Sequence, residues 1–179
     1  MRTPVLETDR LFLRRPTRAD IGAILAQLRS GKPHVSTAPL SGERALAQTV
    51  PIVCHWDLCG LGLFAVLPKG CDEPVGLAGP WHATGWPEPE LGWLFWDTAD
   101  ADTLAPEALH AARDFAARGV GWREIISFVA PEDRRSAALA RTIGAIADPF
   151  SDTDADALVF RHPVPTRDPA PIQPWRRAA

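Results

Sequence analysis

The stretch WDTADADTLAPEAL, residues 96–109, leaves an apolar run and enters a helix, and the turn between them carries Asp97, Asp100 and Asp102 but no glycine. Just upstream, ELGWLFW (90–96) is rich in large apolar side chains and reads as a strand. Downstream, Ala105, Ala108, Leu109, Ala112, Phe115 and Ala116 fall at helical spacing, with Gly119 as the stop. Proline is tolerated in the first turn of a helix, where its missing N–H has no partner to lose, so Pro106 predicts a helix start near Thr103. Strand, acidic turn and helix therefore form one unit.

Moving toward the N-terminus, LGLFAVLP (61–68) and PVGLAGPW (74–81) are short β-type runs flanking the turn-rich KGCDE, and they predict an antiparallel hairpin. WPEP (86–89) is a rigid turn into the next strand. SGER from Ser41 offers a capping pattern for a helix reaching Trp56, with Pro51 expected to kink or split it. LFLRRPT (11–17) reads as the first strand, ending near Pro16. Thr17 or Asp20 can cap ADIGAILAQL (19–28), whose Ile21, Ile24, Leu25 and Leu28 share a face, and SGKPH (30–34) breaks that helix.

Toward the C-terminus, EIISFVA (124–130) predicts a buried strand, RRSAALARTIG (134–144) a helix with Gly144 at its C-terminal cap, and LVFRH (158–162) a closing strand. The segment after His162 carries five prolines and little to bury. The expected organisation is one domain over 1–162 and an extended Pro-rich tail over 163–179.

Composition narrows the function classes. Hydrophobic residues at 46% and charged residues at 23% support one cooperative globular core in 179 residues. No apolar run approaches the ~20 residues of a membrane span, and the start MRTPVLETDRLFLRR has no signal-peptide pattern, so no membrane and a cytoplasmic address are expected. A formal charge of -3 with scattered arginines gives no attraction to nucleic acid. Cys54, Cys59 and Cys71 lack zinc spacing, so reduced thiols and no metal are expected. Seven tryptophans accompany no tyrosine, which removes any mechanism with a tyrosine hydroxyl as proton donor.

Strand, two helices, three strands, helix, strand, helix, strand is the expected order. Taken with LETDRLFLRRPTRAD, GWPEPELGWLFW, PEALHAARDFAARG and APEDRRSAALARTIGA, it resembles the GNAT superfamily of acyl-CoA N-acyltransferases, in the branch that acetylates ribosomal-protein N-termini and its bacterial relatives. The resemblance implies an α/β (α+β) fold with a mixed, mostly antiparallel sheet, splayed between the fourth and fifth strands (90–96 and 124–130) and flanked by about four helices.

It also implies acetyl-CoA as co-substrate, bound in the opening of the splay, and no metal. The pantetheine arm would pair with backbone around Leu94, Phe95 and Trp96. Its diphosphate would sit on the next helix start, at Ala101, Asp102, Thr103, Leu104 and Ala105, where helix dipole and orphan N–H groups favour an anion. The family's glycines in this loop are replaced by Ala101 and Thr103, and its basic residue by Asp102, which makes it a degenerate P-loop. A carboxylate ~5 Å from a phosphate costs about 3 kcal/mol at an effective dielectric near 20. The same aspartates and threonines also fit as plain helix caps, and Arg134 and Arg135 are placed to offset the negative charge.

The family's second motif falls on Pro131 to Ser136, with Asp133 in place of its asparagine and Ser136 kept; both also fit as N-terminal caps. Acetyl transfer to an amine needs a base for the amine proton and an acid for the departing thiolate. Glu90, with Glu88 two residues before it, is the candidate base, and Ser136 the candidate acid; each carboxylate also fits as a solvated strand edge. His55 and His82 are further candidate bases that fit equally as satisfied core or surface groups. Expected partners are an amine-bearing small molecule or a protein N-terminus, with a homodimer allowed. The rival expectation is a catalytically inactive GNAT-fold binding or structural module that has lost acetyl-CoA.

Overall fold

The computed structural model of the protein describes residues 4–30, 41–82, 88–149 and 157–165. The chain starts with β1 (Leu6–Glu7) and β2 (Leu11–Arg14), then a 3-10 turn (Arg18–Asp20) leading into α1 (Ile21–Ser30). Next come α2 (Gly42–Cys59), β3 (Phe64–Pro68), β4 (Gly76–Trp81), β5 (Glu90–Phe95) and α3 (Ala99–Asp114). A π-helical turn (Phe115–Val120) extends α3, and β6 (Ile126–Val129), α4 (Arg134–Thr142), β7 (Ile146–Ala147) and β8 (Leu158–Arg161) follow.

The eight strands form one sheet in the order β1-β2-β3-β4-β5-β6-β8-β7. Every neighbouring pair is antiparallel except β5 and β6, which run parallel and share the single register pair Glu90↔Ile126. Beyond that rung the two strands are not laddered, so the sheet splays where the resemblance implied. Alternation along the strands sends Leu91 and Phe95 to one face, with α3, and Leu94 to the other, with α1 and α2. Phe64, Leu11, Leu13, Leu91 and Leu109 are at most 1% exposed on the α3 face, and burial of each such side chain is worth ~1.5–3 kcal/mol.

A partly buried ion pair ties β2 to the 3-10 turn that leads into α1. Asp20, 2% exposed, accepts Arg14 Nη1 and Nη2 at 2.8 and 2.9 Å and the Thr17 amide at 2.6 Å. Burial alone pushes the Asp20 carboxyl up, but the Arg14 and Thr17 bonds outweigh it and hold the group below its usual range.

Three expectations need correction. α3 begins at Ala99 with Thr98 as its N-cap, a full turn before Thr103, so Pro106 lies inside the helix. Thr98 Oγ1 takes the Ala101 amide at 3.1 Å, and this cap starts the helix whether or not a proline follows. Gly119 does not stop the helix; the π-helical turn carries it to Gly121, which has φ 92°. Pro51 does not split α2, which runs unbroken from Gly42 to Cys59. As the sequence predicts, Gly144 (φ 86°) ends α4 just past Ile143, with the Gly144 and Ala145 amides closing onto the Arg141 and Ala140 carbonyls at 2.9 Å each. Residues 31–34 of the SGKPH break, Trp86 and Pro87 of the WPEP turn and the tail from residue 166 lie outside the described residues.

Candidate active site

Where β5 and β6 part, side chains replace the missing ladder. Glu90 opens β5, and its Oε2 accepts the Phe128 amide from β6 at 3.2 Å. A backbone carbonyl would take that N–H in an unbroken parallel ladder. Burial pushes the Glu90 carboxyl up to about 7, and the Phe128 bond only partly opposes it. Glu90 stands in register with Trp81 on β4, and alternation puts it on the face of Leu94, toward α1 and α2.

The opposite face holds an open recess between β5, α3 and α4. Trp93 and Phe95 form its floor, Asp102 and Ala105 one wall, and Arg135, Ser136 and Leu139 the other. Trp93 Nε1 donates to Ser136 Oγ at 3.2 Å, so the indole spans from β5 to α4. Asp133 accepts the Ser136 amide at 2.9 Å and is the N-cap of α4, 7% exposed.

At the rim, the acidic turn is answered by a cation. Arg135 Nε donates to Asp102 Oδ1 at 2.6 Å, its Nη1 lies 3.6 Å from Asp97 Oδ1, and its Nη2 reaches the Trp96 carbonyl at 3.4 Å. The Thr98 hydroxyl folds back onto the helix and takes the Ala101 amide at 3.1 Å, while the Asp102 amide makes the first bond of the helix itself, to the Thr98 carbonyl at 3.2 Å. At this helix start the Ala101 N–H, one of the groups that would greet an anion, is therefore already engaged.

The structure thus gathers Phe95, Asp102, Ala105 and Ser136 around one recess, with Asp133 holding the amide of Ser136 beneath it, and sets Glu90 across the sheet from them. Leu94, Ala101 and Leu104 are buried in the two core clusters, Trp96 packs against that of Leu94, and Thr103 is exposed. His55 is not free to act as a base: Nδ1 lies 2.8 Å from the Leu61 carbonyl and Nε2 2.9 Å from the His82 carbonyl. The residues 83–87 between His82 and Glu88 lie outside the description.

Two polar residues of the splay escaped sequence reading. Ser127 on β6 bonds the Leu91 carbonyl at 2.6 Å and His162 Nε2 at 2.7 Å, both buried at the junction. No local signal marks them, since their meeting depends on pairing between strands 35 residues apart. Among the described residues no cluster of His, Cys, Asp or Glu has the grouping of a metal site, and no helix is long and apolar enough to cross a membrane.

The chain is similar to known proteins in sequence family and in fold. Residues 10–146 match the family model described as an acetyltransferase (GNAT) domain. An acetyltransferase from Agrobacterium tumefaciens has 29% identity and a TM-score of 0.82, over 90% of this chain and 95% of that one. A ribosomal-protein-S5-alanine acetyltransferase from Vibrio fischeri superposes with a TM-score of 0.65 at 13% identity, over 92% of this chain and 99% of that one. A ribosomal L7/L12 alpha-N-protein acetyltransferase solved with coenzyme A gives 0.66 at 10% identity, over 88% and 97%.

Proposed function

The chain belongs to the acetyltransferase (GNAT) domain family, and from that premise we propose that it is an N-acetyltransferase moving an acetyl group from acetyl-CoA to an amine on a small molecule or a protein N-terminus. The observation that carries this is Glu90, a carboxyl that burial raises to about 7 at the one point where the sheet opens. A base poised near the working pH is what deprotonation of an ammonium group requires.

In this proposal the pantetheine arm lies along the unladdered edge of β5 at Leu94, Phe95 and Trp96. The diphosphate meets the start of α3 from Ala101 to Ala105, with Arg135 beside it. Asp133 fixes the first turn of α4 and so the place of Ser136. Acetyl-CoA supplies the thioester. Glu90 takes the proton of the attacking amine, whose nitrogen forms the new C–N bond as the C–S bond breaks. Ser136 Oγ already accepts Trp93 Nε1–H, so its own hydrogen is available to the departing thiolate.

The engaged rim favours a second possibility, a GNAT-fold module that no longer binds acetyl-CoA. Arg135 is committed to Asp102, and Thr98 occupies the Ala101 amide. Release of free thiol from acetyl-CoA, followed with a panel of polyamines, amino sugars and short peptides with free N-termini, separates the two. The enzyme shows amine-dependent thiol release that Glu90→Gln lowers at least a hundredfold. Release no faster than the uncatalysed rate with every amine favours the binding module.

A further inference from the structure

Past the Glu90–Ile126 rung two side chains hold β5 and β6 together from opposite faces. Glu90 accepts the Phe128 amide on one face, and Ser127 Oγ meets the Leu91 carbonyl at 2.6 Å on the other. The second neighbour of that hydroxyl is His162 Nε2 at 2.7 Å. A serine has one hydrogen to give. If it pointed at the imidazole, the Leu91 carbonyl would face an oxygen lone pair at 2.6 Å, so the hydrogen goes to Leu91 and His162 Nε2–H donates to Ser127.

That assignment has two consequences. His162 is no base toward Ser127, which rules out a nucleophilic serine at this pair. The imidazole is also neutral, with Nδ1 a bare lone pair that finds no partner among the described residues. Burial and the nearby Arg113 agree, pushing His162 down to about 4. Arg113 faces the ring from α3 and is itself held by the Ile143 carbonyl at 2.9 Å and His110 Nδ1 at 3.0 Å. Trp93 meets the ring edge-on from β5, at 6.4 Å between centroids. Arg161, in register with Ile126, is balanced by Asp148, Glu124 and Glu88, and the shift of Glu90 comes from burial, opposed by the Phe128 bond. The His162 amide also donates to the Ile125 carbonyl at 2.8 Å, which fixes the histidine to the strand that carries Ser127.

We propose that Ser127 and His162 are positioning residues, a strut that sets the width of the opening between β5 and β6 at the Glu90 rung and keeps water off the Glu90 carboxyl. This rests on Glu90 being the base proposed above. The strut explains why a sheet that opens for a ligand does not gape at the apex: the 2.6 Å bond from Ser127 to Leu91 spans β5 and β6 where the ladder ends, and His162, 2.7 Å away on the β8 side, holds that hydroxyl in place.

Carbon-13 carboxyl NMR of the full chain, without substrate, reads the effect directly, with the Glu90 signal assigned by its loss in Glu90→Gln. Ser127→Ala and His162→Leu each lower the Glu90 midpoint by about one pH unit as water enters the gap. His162→Gln, whose amide keeps an N–H toward Ser127, stays within a few tenths of the wild type. Nitrogen-15 spectra show His162 as the neutral Nε2–H tautomer from pH 6 to 8. If Ser127→Ala does not fold, the two His162 variants decide. An unmoved midpoint in folded variants, equal shifts for Gln and Leu, or an Nδ1–H tautomer overturns the strut. Unchanged acetyl transfer in Glu90→Gln would instead remove the base assignment, while the titrations still judge the strut.

Discussion

Arg135, in the first turn of α4, grips Asp102, in the first turn of α3, with Nε and Oδ1 2.6 Å apart across the rim of the recess. An acidic helix start is thereby matched by a cation from the neighbouring helix. The contact is exposed on the Asp102 side and worth little to stability, ~0–1 kcal/mol. In the proposed complex its weight would fall on the diphosphate instead.

Replacing Asp102 should therefore strengthen acetyl-CoA binding. Asp102→Gly removes one repulsive charge and frees Arg135, and an affinity gain of about tenfold is expected, on the order of 1.4 kcal/mol. Arg135→Ala in the same calorimetric titration lowers affinity by a similar factor. Unchanged affinity in both variants refutes the electrostatic role of the pair.

Two buried groups pull stability in opposite directions with pH. Glu90 is raised from 4.5 to about 7, so the folded state holds its proton more tightly and stability falls as pH rises through that window. His162 is lowered from 6.5 to about 4, so the unfolded state holds more protons and stability rises from pH 4 to 6.5. Each is worth up to ~3 kcal/mol, and the two nearly cancel. Glu90→Gln should expose a stability that climbs with pH, and His162→Gln one that falls, in urea unfolding measured from pH 4 to 8. Parallel profiles in wild type and both variants contradict this.

Asp20 carries a structural prediction far from the recess. Asp20→Ala strands the partly buried Arg14 guanidinium and the Thr17 amide, and a loss of about 3–5 kcal/mol is expected in urea unfolding. A loss under 1 kcal/mol would show the pair is solvated.

The helices of this fold are largely written in the sequence, because their apolar positions recur locally. Ile24 and Leu28 fall on the buried face of α1, where the periodicity put them. The mixed, mostly antiparallel sheet and its splay between 90–96 and 124–130 came from resemblance, not from periodicity. What misled was a one-residue rule: Pro106 marked a helix start, yet Thr98 capped the helix a turn earlier. The two-residue strands β1 and β7 are too short to show alternation. Glu90 was visible as a carboxylate at a strand start, but its burial was not, since it depends on Phe128 arriving from another strand. Ser127 and His162 stayed hidden for the same reason.

Isothermal calorimetry with acetyl-CoA tests the central claim most directly, since every step proposed for Glu90 and Ser136 needs the thioester in the opening between β5 and β6. One molecule per chain is predicted to bind, with Asp102→Gly binding more tightly. No heat of binding at millimolar acetyl-CoA, for either the wild type or Asp102→Gly, would contradict it.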